Sequence, residues 1–140
     1  MEGHGRAHRA FAAAGAVVAA AGLGGCASLS PDTAAAADVA ETFHAAVAAG
    51  DGQAACDALA PQVLEEVEEV TGAPCPEGVL ASGLPEATST TVTHADGRLA
   101  QVVMDGDVVF LTASGNHWLV IGAGCTPRGE RPYDCTISKG

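Results

Sequence analysis

Three short turn signals cut the second half of this 140-residue chain at near-regular intervals: Ala95-Asp96-Gly97, Asp105-Gly106-Asp107 and Ser114-Gly115-Asn116. Around them lie runs rich in β-branched and aromatic residues, at 88–93 (TSTTVT), 98–104 (RLAQVVM), 108–112 (VVFLT) and 117–123 (HWLVIGA). Asp, Asn and Gly in tight turns join neighbouring antiparallel strands, so the spacing predicts a four-stranded meander. Residues 133–138 are expected to return as a fifth strand.

The first half has a different period. Residues 33–49 predict a helix with Ala36, Ala40, Phe43 and Val47 on one stripe, stopped by Gly50-Asp51-Gly52. A second helical piece is expected at 53–59. A third starts at Pro61, a favourable first-turn residue, with Val63, Leu64, Val67 and Val70 on an apolar face. Glu65, Glu66, Glu68 and Glu69 read as its solvated face, and Gly72 with Pro74 ends it. Helices followed by a meander define an α+β domain in which the helical stripe covers one face of a curved sheet.

Of the five cysteines, Cys56, Cys75, Cys125 and Cys135 lie in the domain. Four cysteines allow three connectivities. Each sequence-local pair brackets a Pro- and Gly-containing turn, so 56–75 with 125–135 is the expected pairing. A four-thiolate zinc site is the alternative, though no C-x-x-C pair supplies the close ligand spacing usual there.

The N-terminus carries Arg6 and Arg9, then an uncharged stretch from Ala10 to Gly25. This is the pattern of a secretory signal peptide, and it is shorter than the ~20 apolar residues of a membrane span. The stretch ends Leu23-Gly24-Gly25-Cys26, which resembles the lipobox of bacterial lipoproteins. The resemblance implies cleavage before Cys26, with Leu23, Gly24 and Gly25 as the peptidase recognition residues. It also implies a diacylglyceryl group on the Cys26 thiol and attachment to the outer face of the cell membrane, where disulfides are the default for the remaining cysteines. At least two acyl chains are what stable anchoring requires.

The chain is thus expected to divide into a signal peptide at 1–25, a lipidated cysteine and tether at 26–37, and a domain at 38–140. Losing 1–25 removes one acidic and two basic side chains, leaving the remainder one unit more negative than the formal −11 of the whole. Such an acidic chain does not read as a nucleic-acid binder, which needs basic residues to displace counterions from phosphates.

The segments ADVAETFHAAVAAGD at 37–51, ACDALAP at 55–61 and HWLVIGAGCTPRGERPYDC at 117–135 resemble small actinobacterial lipoproteins with a nuclear-transport-factor-2-like domain. The resemblance covers about 37–138 and implies a cone-shaped fold and membrane attachment, with no assigned activity for most members.

No motif announces catalysis: there is no G-x-S-x-G, H-E-x-x-H, Gly-lysine phosphate loop or EF-hand spacing. No cofactor, metal site or catalytic residue is therefore expected. His44, beside Phe43 on the first helix, is either a hydrogen-bonded helix-flank histidine or part of a pocket. Trp118 either fills the core or walls a cavity. His94 precedes a turn and His117 opens a strand. Asp105 and Asp107 lie at a turn, so the strand interiors hold almost no acid. Three readings remain: an anchored interaction or small-ligand module with an unknown protein or small-molecule partner, an isomerase- or hydratase-type enzyme using the cone interior, and a purely structural envelope component. A buried carboxylate within reach of His44 or His117 would support the enzyme, and an interior filled by apolar side chains would oppose it.

Overall fold

The computed structural model describes residues 32–140. The signal peptide read at 1–25, the Leu23–Cys26 motif and the tether up to residue 31 lie outside the described residues.

Helix α1 (Thr33–Ala48) is followed by α2 (Gly52–Asp57), α3 (Pro61–Thr71) and α4 (Cys75–Ala81), then by strands β1 (Thr90–Asp96), β2 (Leu99–Met104), β3 (Val108–Ser114), β4 (His117–Arg128) and β5 (Arg131–Ser138). The strands form one open antiparallel sheet in the order β1-β2-β3-β4-β5, so the architecture is α+β. Alternation decides which residues meet the helices. Ala100, Val102, Met104, Val109, Leu111, Trp118 and Val120 are buried on one face, against Ala36, Ala40, Phe43, Val63, Val67 and Val79 of the helices. Each large side chain buried here contributes roughly 1.5–3 kcal/mol. The interior is filled by these apolar groups.

Two side-chain caps fix where the first helices begin. Asp32 accepts from the Ala35 amide at 3.0 Å, and Asp51 does the same for Ala54 at 3.0 Å, satisfying amides that a helix start leaves free. The residues from Thr33 to Ala37, read as the end of a tether, are therefore the first turn of α1, and Ala36 is fully buried. Helix α1, capped by Asp32, thus already belongs to the packed domain before residue 38.

Cys56 is bonded to Cys75 and Cys125 to Cys135, which removes the zinc alternative. The first bridge ties α2 to α4, where Gly52 packs so closely on the Pro76 backbone that a Cβ would collide with it. The second joins directly opposed residues of β4 and β5. Helix α4 was not expected from the sequence. Its start is set by Pro74 and Pro76, residues that favour a first turn, and by Glu68 Oε1, which accepts from the Cys75 amide at 3.0 Å. Glu68 is exposed, as its place in the solvated row predicts, and still reaches back to cap this helix.

Two further differences have local causes. Val70 is 73% exposed, because the end of α3 overruns the core and Val70 stands in a groove against Thr136, Ile137 and Ser138 of β5. Strand β4 runs to Arg128, five residues beyond the expected end, because β5 pairs with it as far as Arg128↔Arg131. The β5 ladder starts only at Gly122↔Ser138. The earlier edge of β4 is covered instead by residues 58–60: the Ala60 amide donates to the Val120 carbonyl at 2.9 Å, and the Val120 amide to the Ala58 carbonyl at 2.8 Å.

Candidate functional site

The β2–β3 turn is where the sheet acquires chemistry. Asp105, Gly106 and Asp107 look like generic turn residues, yet the segment between α4 and β1 crosses directly over them. Gly106 lies against the Glu86 carbonyl so closely that a Cβ has no room. Asp105 holds the crossing segment down: Thr88 donates to it through its amide at 2.8 Å and its hydroxyl at 2.7 Å. The Thr88 hydroxyl, reinforced by the Thr88 amide, keeps the Asp105 carboxyl at about 2. Glu41 of α1 pins the start of β1, accepting from the Thr90 amide at 2.8 Å, and that amide lowers its pKa.

Beneath this segment Asp107 turns inward, its side chain only 1% exposed. Its Oδ1 accepts from the amides of Val108 at 2.7 Å and Cys125 at 3.1 Å. Its Oδ2 accepts from the Gly124 amide at 2.9 Å and lies 2.8 Å from His44 Nε2. The two β4 amides need this partner because β3 and β4 part company beyond Phe110↔Gly122, and Gly124 takes a left-handed φ of 66° that turns β4 aside. Buried amides without partners are costly, and the carboxylate satisfies them.

His44 is 2% exposed and meets Phe43 edge-on at 5.4 Å. The hydrogen-bond network places a proton on Nε2: a carboxylate already accepting three N–H groups takes it as a fourth donor, which leaves Nδ1 as the ring nitrogen not committed to Asp107. Among the described residues Nδ1 has no hydrogen-bond partner, and it is not sealed from solvent, since the sole unpartnered buried side-chain polar atom is Thr90 Oγ1. A cavity of about 250 Å³ lies beside the ring, walled by Val47, Leu84, Pro85, Glu86 and Thr88. Pro85 also borders a second, more open cleft of about 460 Å³, which Asp107, Gly124 and Thr126 line on the other side.

The sequence reading thus placed His44 correctly on its helix but missed its partner. By sequence Asp107 is a turn residue; in the structure it is the buried carboxylate bonded to His44. The other candidates lie apart from this pair. Trp118 is 6% exposed and does both things considered for it: it packs into the core, and it borders a groove with Asp38, Val39, Asp57 and His117. Its indole N–H donates to the Asp32 carbonyl at 3.1 Å. His94 and His117 are exposed, and His117 lies 3.4 Å from Asn116 Oδ1. Among the described residues, no group of three or more His, Cys, Asp or Glu could hold a metal ion, and no helix is long and apolar enough to cross a membrane.

Comparison of the chain with protein-family models, with curated proteins and with solved structures returned no match.

Proposed function

We propose that this chain is an extracytoplasmic lipoprotein, anchored through Cys26, whose domain is a non-catalytic small-ligand-binding module. The observation that carries the reading is the cysteine distribution. Four of the five cysteines are consumed in two bridges, which fits an oxidising compartment. The fifth, Cys26, stands at the end of the uncharged stretch in the lipobox-like Leu23-Gly24-Gly25-Cys26. A nuclear-transport-factor-2-like cone is the finer fold assignment, supported by helices on one face of a five-stranded meander with register shifts in three of its four strand pairs.

The test is Cys26→Ala in the native host with an alkyne-tagged fatty acid. The variant is expected to lose the label and leave the membrane fraction; a labelled, membrane-retained variant overturns the anchor. The ligand part is tested by extracting the purified, lipidated protein and identifying co-purifying small molecules by mass spectrometry.

One observation favours the isomerase- or hydratase-type enzyme as a second reading: an imidazole oriented by a buried carboxylate is the arrangement of a general base. It takes second place because apolar side chains fill the interior, and because Asp107 spends three hydrogen bonds on backbone amides, as a strut does. A purely structural role ranks third, since it makes no use of the cavity of about 250 Å³ beside His44.

A further inference from the structure

We infer that the cavity beside His44 is a binding site for a small, mostly apolar, single-ring molecule carrying one hydroxyl or N–H donor, which His44 Nδ1 accepts. The inference deepens the small-ligand reading above and rests on it.

Size, wall chemistry and polarity set the ligand class. At about 250 Å³ the space falls below the ~300–1,000 Å³ of sites for drug-sized molecules, so one ring fills it. Val47, Leu84 and Pro85 supply apolar walls, while Glu86 and Thr88 stand among the lining residues as the polar groups. The ring atom open to a ligand is fixed by the other end of the imidazole. Nε2 is committed to Asp107 at 2.8 Å, and Asp107 is itself held by three backbone amides. The imidazole therefore cannot turn over without stranding a buried carboxylate, so Nδ1 is the ring nitrogen left to meet an arriving donor. A ligand offering only acceptors gains nothing there.

The site is also held open. Asp105 fastens Thr88, and the Glu86 carbonyl rests on Gly106, so the walls at 86–88 are tied to the turn that carries Asp107. Anchoring to the same turn keeps the wall and the acceptor in register, which lowers the ordering cost of binding.

The experiment uses the full chain, labelled with ¹⁵N-histidine, in phospholipid vesicles, read by magic-angle-spinning NMR. The probes are pyrazole, a small ring with one N–H donor, and 1-methylpyrazole, which lacks it. Pyrazole is expected to shift the Nδ1 resonance of His44 while leaving Nε2 in place, and to bind about tenfold more tightly than 1-methylpyrazole, the worth of one hydrogen bond. Leu84→Trp, which occupies the cavity while leaving the His44–Asp107 pair in place, is expected to abolish the shift, and His44→Gln to erase the preference for pyrazole. Equal affinity of the two probes overturns the inference, as does an unmoved His44 Nδ1 at saturating probe or a response confined to His117, which lines the Trp118 groove. Failures are separable. A co-purifying molecule that perturbs His117 but not His44 leaves the small-ligand reading standing and removes this site, whereas Cys26→Ala addresses the anchor alone.

Discussion

The two ends of the meander are written in the same letters and built differently. At one end, the turns at Gly97 and Gly115 are exposed, and each glycine is there for its left-handed backbone, φ 57° and 61°, with open space where a Cβ would stand. At the other, Gly106 has no positive φ; it is small because the Glu86 carbonyl lies on it. The flanking Asp105 and Asp107 split their tasks, one exposed and fastening a crossing segment, one buried and filling the gap where β4 leaves β3. A short Asp-Gly signal specifies a reversal of the chain. What passes over that reversal decides whether it becomes a site.

Removing the buried carboxylate is the strongest way to break the contrast. Asp107→Ala strands three backbone amides and His44, and is expected to cost about 3–5 kcal/mol in urea unfolding, whereas Asp96→Ala at the open end is expected to be near neutral. The paired Cys125→Ala, Cys135→Ala variant is expected to lose up to about 3 kcal/mol, checked by thermal melting beside the untreated protein. Glycine substitutions sharpen the comparison. Gly106→Ala is expected to cost about 1–3 kcal/mol through overpacking and Gly97→Ala about 1–2 kcal/mol through its φ; Asn, which tolerates the left-handed region, is expected to rescue position 97 and not 106. The smallest effect is pH-dependent. Because the Asp105 carboxyl is held at about 2 in the folded state, below its usual 3.8, its stabilisation is full above about pH 4 and fades as pH falls toward about 2. Melting Asp105→Asn against the parent across that range is expected to show their difference shrinking on acidification.

Much of this fold is legible in the sequence because its signals are local. The α1 stripe, the tight turns and the bracketed cysteine pairs each need only neighbouring residues to be read. The start of α1 is legible too, as an Asp one residue before a helix-forming run, but the alanines from Ala34 to Ala37 read equally as a tether of small residues. Helix α4 is hidden because Pro74, which reads as the stop after α3, is also the N-cap residue from which α4 starts. Asp107 was out of reach for another reason: its four partners lie on α1, β3 and β4, 1 to 63 residues away. No pattern along the chain encodes that meeting. A visible hint existed only in the second acid of Asp105-Gly106-Asp107, since a tight turn needs one.

The indole hydrogen bond from Trp118 to the Asp32 carbonyl fixes more than a packing contact. It sets the point where the chain enters the domain, at the N-terminal end of α1 beside the exposed turn at Gly115. Six residue steps separate Cys26 from Asp32, a reach of at most about 20 Å. Along α1, His44 lies roughly 18 Å further on, at 1.5 Å per residue. Under the proposed anchor at Cys26, the open-turn end is the end tethered to the bilayer, and the His44 cavity lies at the far end of α1 from the point of attachment.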